Sequence, residues 1–436
     1  MRKQNENMDE AVYKPGMGEE FFYHLGKAAI EDVSCELTLP IKPEVLARAA
    51  KRAVGAFPMF GMRPCLDNGG KLYLMQNNAP LKIWPEKSGP VCLGSDDMDG
   101  YMFRLLYTDR TVRVQAHHSL GDARIILGFL NTVVYYYLKE QGITVEDPQN
   151  LLYKEEDAED PTLSDSLMEM LKETETEPPR GEYIPQNVFE IPELKAALRM
   201  ADEKKEIFCY RISFSEKDLL GRVRETGGTP SVLFAAVIGR AIYGCYEVKD
   251  RQIVAGIPVD LREACSSRSQ CNFIGNVRLG DLAGMAERPF DEQVRALKES
   301  LGTQLYLPNI LSRVKKLIPV VEAVNSRPLA TGRSFSSEKS GSLASQTFLL
   351  TNSGRIRLPE GMQAYVTGYD IPLDMDDRCT AAAFSYGGKS VIRWIQPFRE
   401  DTLVQAVCAE FVKQGIPVVC GQKEKLVTDL VLYYNH

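Results

Sequence analysis

Apolar and polar residues alternate from Val33 to Leu39 in the stretch EDVSCELTL, the period-two pattern of a half-buried strand. The apolar positions that follow, Val45, Leu46, Ala49, Ala50 and Val54, recur at three- and four-residue spacing and predict an amphipathic helix. The same order returns from Ile207, where IFCYRISF alternates and SEKDLLGRVRET carries helical spacing. A second shared pattern closes each half. YTDRTVRVQAHHSLGDARIILGFLNTVV, from Tyr107, can be laid without gaps on YGGKSVIRWIQPFREDTLVQAVCAEFVK, from Tyr386. Both predict a hairpin turn, a strand, a short polar corner and an amphipathic helix, and Gly387-Gly388 is a strong hairpin signal. The expected fold class is therefore α/β (α+β), with two similar lobes of mixed sheet and helix.

Composition sharpens this picture. A chain of 436 residues, 44% hydrophobic and 25% charged, can bury more than one core. From about Asp147 to Glu206 the sequence turns acidic and proline-bearing, which suits a solvated connection. The expected division is a first lobe over 1–150, an acidic linker over 151–206 and a second lobe over 207–436. A formal charge of -7 leaves no basic stripe for a nucleic-acid backbone. The first residues are polar and no apolar run approaches the roughly 18 residues of a membrane span, so a cytoplasmic protein is expected. The ten cysteines are scattered, with no CxxC pair, and read as reduced, packed thiols.

Chemistry concentrates in one corner. The chain has four histidines, and His117 and His118 stand side by side with Asp122 four residues after the second. In the overlay of the two halves the histidines fall on Gln396 and Pro397, whereas Asp122 falls on Asp401. An aspartate in both copies suggests a structural task, such as capping the helix that follows. A histidine in one copy only suggests chemistry. Alone, HxxxD is a weak motif that a hydrogen-bonded structural histidine also satisfies, and no third ligand stands at metal-binding spacing. Tyr135 to Tyr137 read as a partly buried helix face. GGKS at Gly387 to Ser390 is no phosphate loop, since Ala383 stands where the first glycine belongs.

The C-terminal half adds PVDLR at Pro258 to Arg262, GN at Gly275-Asn276, TNSG from Thr351 and SYGGK from Ser385. With HHSLGDA, these segments resemble, in order and from about residue 30 to 415, the CoA-dependent acyltransferase superfamily. That group includes chloramphenicol acetyltransferase, the condensation domains of peptide synthetases, alcohol acetyltransferases and the plant HxxxD acyltransferases. One departure is Ala123, where the condensation-domain motif has glycine.

The resemblance implies two chloramphenicol-acetyltransferase-like lobes in a V-shaped pseudo-dimer, with an acyl thioester joined to an alcohol or amine in a channel between them. It makes His118 the general base, a task suited to imidazole at neutral pH. His117 and His118 point to opposite faces of an extended strand, so His117 is expected to pack the corner or border the substrate. Asp122 is expected to pair with Arg262 and hold the corner. Asn276, Thr351, Asn352 and Ser385 lie in matching segments as candidate substrate-binding or oxyanion-donating residues. A ternary complex suffices, with no acyl-enzyme, no metal and no bound cofactor; the co-substrate is acyl-CoA or an acyl-pantetheine thioester. The implied partners are a small-molecule acceptor and, for a condensation-type enzyme, a separate carrier protein; a non-catalytic binding member remains the third class. Arg268, Arg278, Arg313, Lys315, Lys316, Arg327 and Arg333 are candidates for the outer face that meets the donor.

Overall fold

The alternating stretch near Val33 forms the strand Ile30–Leu37, and the amphipathic stretch forms the helix Pro43–Ala56. Pro43 occupies the first turn, where a missing N–H costs nothing. Ala49, Ala50 and Ala53 are buried on the inner face of this helix, and their small side chains let it lie close against the helix Ala123–Glu140. In the second half the strand Ile207–Ser215 runs into the helix Glu216–Thr226. Ser215 caps that helix, accepting from Asp218 N at 3.3 Å, and Gly227 ends it with φ of 69°. Gly387 and Gly388 have φ of 58° and 77°, the doubly left-handed pair that a tight hairpin demands. These elements belong to a computed structural model that describes residues 12–25, 30–88, 91–157, 167–200, 206–329, 345–374, 378–426 and 430–432.

Two mixed sheets organise the described residues. The first runs in the order Val366–Asp370, Ile30–Leu37, Thr111–His117, Phe103–Tyr107, Ile83–Pro85, with Leu373–Asp374 also on Ile30–Leu37. The second runs in the order Ile274–Leu279, Ala255–Asp260, Phe348–Arg355, Thr380–Tyr386, Lys389–Gln396, Ile207–Ser215, Val418–Cys420, with Glu424–Leu426 also on Ile207–Ser215. One face of the second sheet carries Phe348, Leu350, Ala381, Ile392 and Trp394 into a core with the helices Pro230–Cys245 and Thr402–Lys413. A separate core unites the first sheet with the helices Pro43–Ala56 and Ala123–Glu140.

The halves also exchange material. Val366–Asp370 and Leu373–Asp374 come from the second half of the chain yet pair with Ile30–Leu37. Phe384 and Val391 of the second sheet enter the first core. The acidic stretch supplies the helices Leu167–Glu173 and Pro192–Leu198, and Leu167, Leu171 and Leu194 are buried in the second core; its residues 158–166 and 201–205 lie outside the described ones. Tyr135 to Tyr137, expected to be a partly buried face, are buried throughout. Their hydroxyls explain how: Tyr137 accepts from Lys42 N and donates to Pro40 O at 2.9 Å each, and Tyr136 accepts from Glu155 N at 3.2 Å. Among the described residues no single helix is long and apolar enough to cross a membrane.

The crossing strand is tied to the first core by a buried hydrogen bond of 2.6 Å from Tyr369 Oη to Asn131 Oδ1, on the helix Ala123–Glu140. Tyr369→Phe leaves that oxygen without its donor and is expected to lower stability by about 1–3 kcal/mol, read as a shifted denaturation midpoint with unchanged slope.

Candidate active site

The strand Thr111–His117 ends where His117, still extended at φ -70° and ψ 137°, passes the chain into a short turn over His118–Leu120. Gly121 then turns it at φ 140°, a conformation that favours glycine. A Cβ there would stand 2.7 Å from Ile125 Cγ2 and 3.0 Å from the Gln270 carbonyl oxygen, so glycine is also required for close approach. Asp122 follows as the N-cap, its Oδ1 accepting from Ile125 N at 3.4 Å. Ala123, in place of the glycine of the condensation motif, is the first residue of the helix.

His117 and His118 diverge as alternation requires. His117 is fully buried, with Nδ1 2.7 Å from Ser119 Oγ and its ring 5.2 Å from that of Tyr23. Burial, with His118 adjoining, pulls its pKa down to about 3, so it is neutral in the working range. His118 keeps 22% of its side chain exposed. Its ring lies flat on that of Phe22, at 4.1 Å and 6°. Nε2 stands 3.3 Å from Glu31 Oε1, and the backbone oxygen accepts from Asn272 Nδ2 at 2.9 Å. Glu31 faces Ala116 in the register of neighbouring strands, which puts Glu31, Ala116 and His118 on one face.

Asp122 turns away from the histidines. Its Oδ2 accepts from Arg262 Nη2 at 2.7 Å and from Phe273 N at 3.2 Å, and both side chains of the ion pair are 3% exposed. Arg262 also donates to the Ser269 carbonyl at 2.7 Å, to Asp260 Oδ1 at 3.0 Å and to the Cys271 carbonyl. Burial works to lower its pKa, but Asp122 and Asp260 more than offset this and raise it. Nearby, Arg124 pairs with Asp260 at 2.7 Å and Gln270 Nε2 reaches the Ala56 carbonyl at 3.0 Å, so the two halves are joined at several points around the corner.

The duplicate corner behaves differently from expectation. Asp401 stands at the start of the helix Thr402–Lys413 but makes no side-chain capping bond. Its backbone is already helical, at φ -92° and ψ -6°, and its carboxylate takes Lys423 Nζ at 2.8 Å and the Tyr210 hydroxyl instead. Gln396, in the place of His117, is buried and donates to the carbonyls of Phe398 and Glu400.

The remaining sequence candidates are dispersed. Asn352 donates to Ser231 Oγ at 3.0 Å and accepts from Gly354 N at 2.9 Å, on the helix-covered side of the second sheet. Ser385 Oγ pairs with Ser390 Oγ at 2.8 Å across the hairpin. Asn276 uses Oδ1 to accept from Arg278 Nη1 at 2.7 Å, and Thr351 is half-buried opposite Ala382. Of the basic residues, Lys315 and Lys316 bind the Thr174 carbonyl and Glu182, and Arg313 bonds to Gln304. Burial, with Arg313 and Arg378 nearby, pulls Arg278 down to about 10; Arg333 lies outside the described residues.

Sequence reasoning missed four residues that complete the corner: Glu19, Phe22, Glu31 and Asn272. The adjacent acids Glu31-Asp32, which break the alternation at the start of the strand, were the available signal. Asp32 is paired, with Arg113 Nε and Gln115 Nε2 each at 2.8 Å. Glu31 is buried with His118 as its one ion-pair partner among the described residues; burial raises its pKa, His118 relieves this in part, and Asp122 and Asp32 add to it. Glu19, on the helix Met17–Leu25, is buried and its Oε1 accepts from Asn272 N at 2.8 Å and Asn272 Nδ2 at 3.1 Å. Burial raises the Glu19 pKa to about 7, against the pull of these bonds. Glu19 Oε2, Glu31 Oε2, His117 Nε2, His118 Nδ1 and Asn272 Oδ1 are buried without a hydrogen-bond partner among the described residues.

No protein-family model and no curated protein sequence matches the chain. Solved structures do. It is similar to TRI101 from F. sporotrichioides, solved complexed with coenzyme A and T-2, at 11% identity over 94% of this chain and 99% of that one, TM-score 0.61. It is similar to TRI3 trichothecene 15-O-acetyltransferase from Fusarium sporotrichioides, at 12% identity over 95% and 96%, TM-score 0.60. It is also similar to the condensation domain of the Monacolin K polyketide synthase MokA, at 12% identity over 93% and 96%, TM-score 0.56. The shared feature is the two-lobed, chloramphenicol-acetyltransferase-like fold.

Two expectations follow from the geometry. Asp122→Ala and Arg262→Ala each strand a buried charge and should cost about 3–5 kcal/mol, measured by chemical denaturation; loss of function at unchanged stability would make Asp122 an orienter of the base instead. The second concerns pH. The unfolded chain releases the Glu19 proton near 4.5, whereas the folded chain holds it to about 7, so the folded state binds more protons between these values. The stability linked to Glu19 is full below the lower value and declines as pH rises through the upper one. Glu19→Gln should flatten that slope, so that the melting temperature of the variant relative to the parent rises from pH 5 to pH 8.

Proposed function

We propose that the chain is an acyltransferase that moves an acyl group from a thioester, acyl-CoA in first place, to an alcohol or amine acceptor. The observation that carries this reading is His118, which keeps an exposed edge at a strand end while a buried Asp122–Arg262 pair clamps the corner around it. The likeness in fold to an acetyltransferase, and to TRI101 complexed with coenzyme A, supports it.

In this mechanism His118 removes the acceptor's proton as its oxygen or nitrogen attacks the thioester carbonyl carbon. The tetrahedral intermediate collapses by breaking the C–S bond, and the imidazolium returns the proton to the departing thiolate. The acceptor's hydrogen ends on the thiol, and no group of the protein is acylated. Burial pushes the thiols of Cys35 and Cys209 up to about 12, away from the thiolate that a cysteine nucleophile needs. The oxyanion needs a donor. Among the candidates, the Thr351 hydroxyl and the Asn276 amide nitrogen have no side-chain partner among the described residues, whereas Asn352 and Ser385 are committed elsewhere. Asp122 and Arg262 hold the corner rather than relay protons.

A carrier-protein thioester is the second reading, favoured by the likeness to the MokA condensation domain. The pantetheine arm is common to both donors, so only the outer face differs. The deciding measurement is thiol release, with intact-mass detection of product, across panels of acyl-CoA and carrier-loaded acyl groups. His118→Ala should lower turnover by about 100-fold or more in a folded protein. Turnover equal to that of the parent would remove His118 as the base, and absence of turnover with every donor would leave the corner a binding site.

A further inference from the structure

An alcohol and an amine make different demands on a site with a single general base. An alcohol loses one proton as it attacks. A primary amine arrives at neutral pH as an ammonium ion and must lose two, one before its lone pair exists and one as the new bond forms. The corner holds two proton acceptors side by side, His118 Nε2 and Glu31 Oε1, at 3.3 Å.

Glu31 is not spent on the fold. Its side chain is 8% exposed, its sole ion-pair partner among the described residues is His118, and its Oε2 is buried with no hydrogen bond. A buried carboxyl left in this state costs free energy that a cationic ligand would recover. The neighbouring acids do not share the condition. Asp32 is satisfied by Arg113 and Gln115, and Asp122 by Arg262 and two backbone N–H groups. Glu19, linked through Asn272 to the backbone oxygen of His118, adds a second buried carboxyl with an oxygen unpaired among the described residues. The flat stacking of Phe22 on His118 supplies an apolar wall that would exclude water from the reacting atoms.

We propose that the acceptor is a primary amine, bound as its ammonium ion against Glu31, and that Glu31 takes the first of its two protons. This inference rests on the acyl-transfer reading above and adds the acceptor's class. In the first step an N–H bond of the ammonium breaks and its proton goes to Glu31, leaving a neutral amine beside His118. In the second, the nitrogen lone pair forms the C–N bond while His118 Nε2 takes the remaining surplus proton. The C–S electron pair then leaves with sulfur, which receives the proton from His118. The products are an amide, a thiol and a protonated Glu31 that loses its proton as the site empties. The shared burial favours the first transfer, because desolvation raises the pKa of a carboxyl and lowers that of an ammonium ion.

The test compares hexylamine with hexanol, equal in length and differing in the reacting group, using straight-chain acyl-CoA and acyl-pantetheine thioesters as donors and thiol release with product mass as readouts. The parent protein should prefer hexylamine, and Glu31→Gln should lower the amine-to-alcohol ratio of kcat/KM by about 100-fold. Glu31→Asp, which restores a carboxylate, should recover part of that ratio, and the selectivity of the parent needs no variant if Glu31→Gln does not fold. Equal use of both acceptors by the parent, or an equal fall with both in Glu31→Gln, would overturn the amine assignment while leaving acyl transfer intact. Absence of His118-dependent thiol release with every donor and acceptor would instead overturn the acyl-transfer reading, and the amine assignment with it.

Discussion

The histidine corner depends on the buried ion pair between Asp122 and Arg262. Two charges with 3% of their side chains exposed carry a desolvation cost of several kcal/mol each, which Coulomb attraction offsets only where every remaining donor and acceptor is used. Here they are used. Asp122 takes the guanidinium, the N–H of Ile125 and the N–H of Phe273, and Arg262 fills its fork with the Ser269 and Cys271 carbonyls and Asp260. The pair therefore does more than join two residues 140 positions apart. It fastens the start of the helix Ala123–Glu140 to the connection between the strands Ala255–Asp260 and Ile274–Leu279.

That fastening decides what surrounds His118. The clamped connection brings Asn272 against the backbone oxygen of His118 and Gln270 against the carbonyl of Ala56. Asn272 in turn receives Glu19 from the helix Met17–Leu25, and this helix lays Phe22 on the imidazole. Satisfied and unsatisfied groups are sharply divided across the corner. The clamp has its polar atoms paired, whereas the histidines, Glu19, Glu31 and Asn272 each retain one buried atom without a partner among the described residues. A fold tolerates such atoms where chemistry or a ligand needs them and rarely elsewhere.

The duplicated corner shows why pattern alone could carry the reasoning only so far. Both copies fold as strand, polar corner and helix, as their hydrophobic spacing requires. The shared aspartates nevertheless diverge in use. Asp122 caps its helix from an extended backbone, and Asp401, with a helical backbone, turns to Lys423 and Tyr210. Capping is a property of local dihedral angles, which residue identity influences without dictating. The tyrosine run shows the same limit. Spacing identified a helix face, but only the reach of Lys42, Glu155 and Lys139 to the hydroxyls of Tyr137, Tyr136 and Tyr135 explains how three phenols are buried together.

The sequence by itself determined the elements and their order, because strand and helix periodicity are local consequences of which side chains avoid water. It also singled out the pair His117 and His118, since side chains present in one copy and missing from its twin suggest chemistry; the choice of His118 between them came from resemblance. The Asp122 and Arg262 pairing was reachable only through resemblance, and its geometry belongs to the fold. What tertiary structure alone decided is the company of His118. Glu31 lies 87 residues from His118 in the chain and meets it through antiparallel register. Glu19 and Phe22 arrive on a short helix with no motif to mark it. Asn352 and Ser385, attractive by segment, turn to other partners, Asn352 to Ser231 on the covering helix and Ser385 to Ser390 across its hairpin. Which groups converge on a reacting atom depends on register, crossing strands and clamped loops, and these are set by contacts between residues far apart in sequence, where no local pattern records them.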